Sequence, residues 1–151
     1  MIIPLTSRRA LPADAELLGE LSRQLMEDEN QPDTATLAQH QQRMRMWLEA
    51  DHAAVIFKYN KEVVAYALYL EEAHQVWLKQ FFVLRDARRK SIGQQAMRIL
   101  RSLYWPAGKR LVVEVLMTNE AAIAFYKTIG FRDYNVTLEI PAETRTKERQ
   151  D

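Results

Sequence analysis

One stretch constrains this chain more than any other: Gln80-Phe81-Phe82-Val83-Leu84-Arg85-Asp86-Ala87-Arg88-Arg89-Lys90-Ser91-Ile92-Gly93. It begins as an apolar strand, passes through a dense set of cations, and ends at a small-residue turn that opens an amphipathic helix. The first N–H groups of a helix have no intrahelical partner, and the helix dipole favours negative charge there. Strand, basic turn and helix start, in that order, suit a phosphate-bearing ligand. Arg88, Arg89, Lys90, Ser91, Ile92 and Gly93 are therefore expected to form an anion site. Between Arg85 and Arg110 the cations are Arg85, Arg88, Arg89, Lys90, Arg98, Arg101, Lys109 and Arg110, against one acid, Asp86, in a chain of formal net charge +1. Arg98, Arg101, Lys109 and Arg110 read as a solvated helix face and its flank.

The flanking sequence gives the element order. Residues 1–6 suit an edge strand. Pro12, Ala13 and Asp14 look like a helix start. Leu17, Leu18, Leu21 and Leu25 recur at helical spacing and predict a buried face. A second helix is expected from Asp33 or Thr34, with Leu37, Gln41, Met44 and Leu48 on its face and Trp47 beside them. Residues 53–59 and 62–70 read as a hairpin joined at Asn60-Lys61, and residues 76–84 as a third strand. The helix after Ser91 should bury Ile92, Ala96, Ile99, Leu100 and Leu103 and stop at Pro106-Ala107-Gly108. Residues 111–117 are nearly continuous apolar sequence, of the kind buried on both faces of a sheet. Asn119-Glu120 opens a short helix, Gly130 is placed to cap its end, and residues 131–140 suggest a last strand. The chain reads as one mixed α/β domain over residues 1–140, with a polar tail over 141–151. The helical crossover should make the third and fourth long strands parallel.

Composition closes off several function classes. With 151 residues, the chain is the size of a single domain. It has no cysteine, which excludes disulfides, a thiolate nucleophile and cysteine-ligated metal. His40, His52 and His74 lack metal-ligand spacing and read as surface residues, so no metal is expected. The N-terminus lacks a signal-peptide layout, and no apolar run nears the roughly 18 residues of a membrane span. A soluble cytoplasmic protein without a membrane or nucleic-acid partner is the expectation. The aromatics sit in apolar strands rather than among the cations, which argues against a nucleic-acid groove.

Two motifs, on the right elements and in the right order, make the chain resemble the GNAT superfamily of acyl-CoA-dependent N-acyltransferases. The family's pyrophosphate loop, Gln/Arg-x-x-Gly-x-Gly/Ala, appears as Arg88-Arg89-Lys90-Ser91-Ile92-Gly93, with Val83 at the usual distance upstream. The second signature appears as Asn119, Ala122, Tyr126, Gly130 and Phe131. Ser91 replaces the loop's first glycine, and Arg85 stands where many members have proline. The resemblance implies a mostly antiparallel central sheet with one splayed parallel strand pair, flanked by helices. It implies acetyl-CoA as co-substrate and backbone contacts from Phe82, Val83 and Arg85 to its pantetheine arm. It also implies Tyr126 as the general acid. Asn119 has two readings: a contact to the arm, or a plain helix cap.

Acyl transfer to an amine also needs a base. Glu114 interrupts an apolar strand and is one candidate; Glu71, Glu72 or a water chain are the others. From Ala10 to Thr36 there are seven acids and one base, Arg23. In the family, the connection between the first two helices rims the acceptor site. Glu27, Asp28, Glu29 and Asp33 are therefore candidates for attracting a cationic small-molecule or peptide amine, although a solvated helix end explains the same residues. Tyr66, Tyr69, Trp77 and Gln80 are candidate pocket residues. Without a cysteine no acyl-thiol intermediate forms on the protein, so attack in a ternary complex is expected. The alternative is a non-catalytic acyl-CoA sensor on the same fold. The oligomeric state is left open, with a homodimer among the options.

Overall fold

The computed structural model describes residues 4–30, 33–88 and 91–145. The chain divides into two compact units, Met1–Asn119 and Glu120–Asp151. In the first, five strands form one sheet in the order β1 (Thr6–Arg9), β2 (His52–Tyr59), β3 (Glu62–Glu71), β4 (Gln75–Val83), β5 (Arg110–Val113). The first three pairings are antiparallel and β4–β5 is parallel. The β2–β3 hairpin turns at Asn60 and Lys61, whose φ values of 52° and 71° are those of the two-residue turn the sequence predicts.

Helices α1 (Ala15–Asp28) and α2 (Leu37–Glu49) cover one face of the sheet. Leu18, Leu21, Leu25 and Met44 pack there against Ala54, Ile56, Tyr66, Leu68 and Phe82. Each fully buried side chain of this size contributes about 1.5–3 kcal/mol. The two helices approach closely at Gly19, where a Cβ would lie 2.5 Å from Gln41 Cα. α2 begins at Leu37, capped by Thr36, later than expected. Thr36 Oγ1 accepts from the Gln39 N–H, and Gln39 Oε1 accepts from the Thr36 N–H, a capping box that fixes the start. Helix α3 (Ile92–Ile99) carries buried Ile92, Ala96 and Met97. The next turn widens, and Trp105 N–H bonds to Leu100 O five residues back. Trp105 then stacks edge-on against Tyr69 of β3.

Several expectations need correction. The first strand runs from Thr6 to Arg9 rather than over residues 1–6, of which Met1–Ile3 lie outside the described residues. Leu17 and Leu37 are exposed: the inward stripe of α1 runs through Leu18, Leu21, Ser22 and Leu25, and Leu37 sits at the open start of α2. Leu103 is 72% exposed, because the wide turn after Leu100 adds a residue and rotates the stripe away from the core. His40 is buried, not on the surface, since it shares the inward face of α2 with Met44. His52 is partly covered and lies beside Trp47.

The strand expected over residues 111–117 is also shorter than its composition suggests. It ends at Val113 and is half-buried, because β5 is the last strand of the sheet and follows β4 only as far as Leu78.

The second unit holds α4 (Glu120–Thr128), closed by Gly130 at φ 115°. No strand forms over residues 131–140, which corrects the last element of the expected order. Tyr134, Val136, Leu138 and Ile140 do alternate as a strand would. However, alternation supplies a face and not a partner, and among the described residues this unit has no other strand to pair with. No helix among the described residues is long and apolar enough to cross a membrane.

Candidate active site

The site is built around β4. Its pairing with β5 runs from Gln75↔Arg110 to Leu78↔Val113 and stops. At the same place the β3 register shifts, from Leu68↔Gln80 to Tyr69↔Leu78, leaving Lys79 as the extra residue of a β-bulge. Residues 79–83 therefore continue along β3 without β5 beside them. On that side β4 presents a strand edge, the kind of backbone surface along which an extended ligand can lie. The bulge carries no residue signature, so nothing in the sequence signals it.

Beyond Val83 the chain makes a short turn, Arg85–Ala87, and reaches Ser91. Ser91 has φ 59° and ψ 21°, the left-handed conformation, directly before α3. This is the position where the family's loop has its first glycine, and a side chain there costs about 1–2 kcal/mol. Ile92 and Gly93 follow in the first turn of α3, where N–H groups point out of the helix. Arg89 and Lys90 lie outside the described residues.

The described cations of this turn are held by an acid from another element. Arg88 grips Asp28, the last residue of α1, with Nη2 2.7 Å from Oδ2 and Nη1 3.3 Å from Oδ1. Arg85 Nη2 donates to Asp28 Oδ1 at 2.9 Å. Arg88 Nε also donates to the Val83 carbonyl at 3.0 Å, and its guanidinium lies 5.6 Å from the centre of the Phe82 ring. The hydrogen bond from Arg88, then that from Arg85, holds the Asp28 carboxyl below its ordinary range against the opposing effect of burial. Asp28 thus offsets one of the two positive charges that the described arginines bring to the turn.

The other acids of that group separate. Glu27 pairs with Arg23 at 2.7 Å. Asp33 bonds the Ala35 N–H at 3.0 Å and His40 Nε2 at 2.7 Å. Glu29 lines a cleft of about 230 Å³ together with Leu25, Met26, Trp77, Leu78, Lys79, Gln80 and Glu114. Glu114 lies just past the end of β5, exposed, at the rim of that cleft rather than inside a buried strand. Of the candidate pocket residues, Trp77 and Gln80 line the cleft, whereas Tyr66 and Tyr69 are fully buried. Tyr66 stands behind the wall: its hydroxyl donates to Gln80 Oε1 at 2.8 Å, and Gln80 Nε2 donates to Ser22 Oγ at 3.1 Å. Burial pushes the Tyr66 phenol far above its ordinary value, so it stays a donor. Glu71 is tied to Lys109 at 2.8 Å, and Glu72 accepts from Gln75 at 3.0 Å.

Asn119 precedes α4, and its N–H bonds to Leu116 O at 2.9 Å. In the second unit, Tyr126 lies edge-on to Phe125 and Phe131, at 5.3 and 5.4 Å between ring centres. Among the described residues no group of three His, Asp or Glu side chains could hold a metal ion.

The turn fits a polyanion. It offers two described arginines, a helix start and a left-handed residue that brings backbone close, with the strand edge beyond Leu78 leading away from it.

The family model described as Acetyltransferase (GNAT) family matches residues 17–131. No curated protein matches the chain. Among solved structures, the aminoglycoside N-acetyltransferase AAC(6')-Iy in complex with CoA has a TM-score of 0.75 at 14% identity, covering 93% of this chain and 96% of that one. An acetyltransferase from Thermus thermophilus has a TM-score of 0.71 at 23% identity, covering 87% and 88%. The aminoglycoside acetyltransferase meta-AAC0020, from an uncultured soil metagenomic sample and in complex with sisomicin, has a TM-score of 0.69 at 12% identity, covering 91% and 94%. At these identities the likeness is one of fold.

Proposed function

Because the chain belongs to the GNAT acetyltransferase family, we propose that it transfers an acetyl group from acetyl-CoA to a primary amine of a small molecule or peptide, by direct attack in a ternary complex. The observation that carries this reading is the edge of β4 that β5 leaves beyond Leu78, running straight into a cationic turn and a helix start. The co-substrate supplies the activated acyl group when bound.

The chain's own residues do the rest. Arg85 and Arg88, with the N–H groups at Ser91, Ile92 and Gly93, hold phosphate, and Arg89 and Lys90 belong to the same motif. Backbone groups of Phe82 and Val83 pair with the pantetheine arm, joined by Asn119. An N–H near Phe82 polarises the acyl carbonyl. Tyr126 is the general acid on the family's pattern, since a phenol is still protonated at neutral pH and can donate to a departing thiolate. Glu114, at the rim of the cleft, is the candidate base. Acetyl transfer to aminoglycosides is the named activity of two fold neighbours, so amino sugars belong in the acceptor panel beside polyamines and peptides.

The test is thermal shift with acetyl-CoA, then thiol release against that panel. The chain has no cysteine, so the thiol assay has no background from it. Stabilisation by acetyl-CoA together with amine-dependent thiol release is the expected result. Stabilisation without release for any amine would favour the acyl-CoA sensor reading, which the left-handed Ser91 and the Arg88 hold on Val83 also fit.

A further inference from the structure

We propose that Gln80 is a positioning residue: held between Tyr66 of β3 and Ser22 of α1, it fixes the β4 bulge and thereby the backbone edge offered to the pantetheine arm. This rests on the acetyltransferase reading and assigns to that site a residue that sets its geometry from behind.

The register shows what the bulge does. Tyr69 pairs with Leu78 and Leu68 with Gln80, and Lys79 is left over between them. Neighbouring residues on β3 point to opposite faces of the sheet. Tyr69 meets Trp105 on one face, and Leu68 belongs to the core beneath α1 and α2 on the other. Regular alternation would keep Leu78 and Gln80 on one face. The extra residue instead sends Gln80 and Phe82, opposite Leu68 and Tyr66, to the α1 side.

Hydrophobicity does not select this register. Residues 81 and 82 are both phenylalanine, so a one-residue slip still places a phenylalanine against α1. Gln80 does discriminate. It is 8% exposed, beside Tyr66 at 0% and Ser22 at 1%. The Tyr66 hydroxyl donates to Gln80 Oε1 at 2.8 Å, and Gln80 Nε2 donates to Ser22 Oγ at 3.1 Å. A slip would carry the amide away from both partners and leave polar groups unpaired out of reach of water, which is unfavourable.

The same register decides which backbone groups face the ligand. In an antiparallel pair, a residue's N–H and C=O turn together, alternately toward the partner strand and away from it. Leu84 N–H is bonded to Val64 O, on the β3 side, whereas the Val83 carbonyl turns outward and accepts from Arg88 Nε. A one-residue slip exchanges the two sets, and the outward groups along residues 79–83 become inward ones. Gln80 thus acts through the strand on the groups that meet the cofactor.

The experiment compares Gln80→Met with the triple variant Gln80→Met, Tyr66→Phe, Ser22→Ala, both in the full chain. The single variant leaves two buried hydroxyls without their partner and should melt at a lower temperature. The triple variant removes every polar group of the set and should recover most of the melting temperature, since an apolar set of similar shape is nearly neutral for stability. Acetyl-CoA should nevertheless bind the triple variant about tenfold more weakly by calorimetry, while ADP, which has a pyrophosphate and no pantetheine arm, should change by less than about twofold. Ser22→Ala alone, which frees one end of the amide, should show the same split at about threefold. In the triple variant the Leu84 amide should exchange its hydrogen about tenfold faster. Wild-type affinity for acetyl-CoA in these variants, an equal loss for both ligands, or unchanged Leu84 exchange would each overturn the proposal. If the wild-type chain binds no acetyl-CoA while Leu84 exchange responds as expected, the acetyltransferase reading falls and the hold of Gln80 on the register stands.

Discussion

The cationic turn from Arg85 to Ser91 and the cleft beside Trp77 both depend on β4, yet they are assembled differently. The turn is contiguous: strand end, cations, a left-handed residue and a helix start follow one another along the chain. The cleft is gathered from three stretches, the end of α1, the bulge of β4 and the residue past β5. The end of α1 serves both. Asp28 turns to Arg88 and Arg85, while its neighbour Glu29 lines the cleft. One step along a helix rotates a side chain by about 100°, enough to send two adjacent carboxylates to different tasks. Charge patterns in a sequence identify a group of acids; their division between two sites is set by helix phase.

The largest effect should come from the chemistry the two regions serve. Tyr126→Phe should lower kcat about 100-fold while moving the acetyl-CoA dissociation constant by less than about threefold. Steady-state kinetics beside calorimetry check this, and unchanged turnover would remove Tyr126 as the acid.

The next test separates the neighbouring carboxylates. Asp28→Asn weakens the hold on Arg88 and Arg85 and should tighten acetyl-CoA binding by about threefold, whereas Glu29→Gln should instead raise the acceptor KM by about threefold. Matching responses from both variants would merge the two regions into one. The Asp28 variant also has a pH signature. The arginines hold the folded carboxyl below its unfolded value of 3.8, so the folded state binds that proton less readily. The stabilisation is complete above that value and is lost as pH falls through the lower folded pKa. The melting-temperature difference between wild type and Asp28→Asn should be flat from about pH 6 to 8 and shrink below about pH 4.

The smallest effect is expected at Ser91. Ser91→Gly relieves the left-handed strain and, at the same time, adds freedom to the unfolded chain, so stability should change by less than about 1 kcal/mol. Acetyl-CoA affinity should rise about twofold to threefold through closer backbone approach. Weaker binding would mean that the Ser91 hydroxyl itself serves the ligand.

Much of the fold was legible because its signals are local. The Asn60-Lys61 turn, the α1 stripe and the β4-to-α3 passage follow from backbone preferences and helical periodicity within a few residues. The misplacements share one cause. Residues 111–117 and 131–140 have strand-like composition, yet a strand exists only where another strand accepts its hydrogen bonds. β5 stops where β4 bulges, and 131–140 meet no described strand in their unit. Leu103 left the core because one wide turn changed the phase of a stripe that was otherwise right.

By itself, the sequence determined the family, the element order as far as α4 and the cationic turn before α3, since all three are written in contiguous residues with fixed backbone demands. It also ruled out a thiol intermediate on the protein. Only the tertiary structure decided that Asp28 pairs with Arg88 and Arg85, that Lys79 is the bulged residue and that its ammonium lies on Trp77. Those contacts depend on strand register and helix phase. Both are fixed by packing the whole sheet against its helices, and neither is encoded at the residues that make the contact.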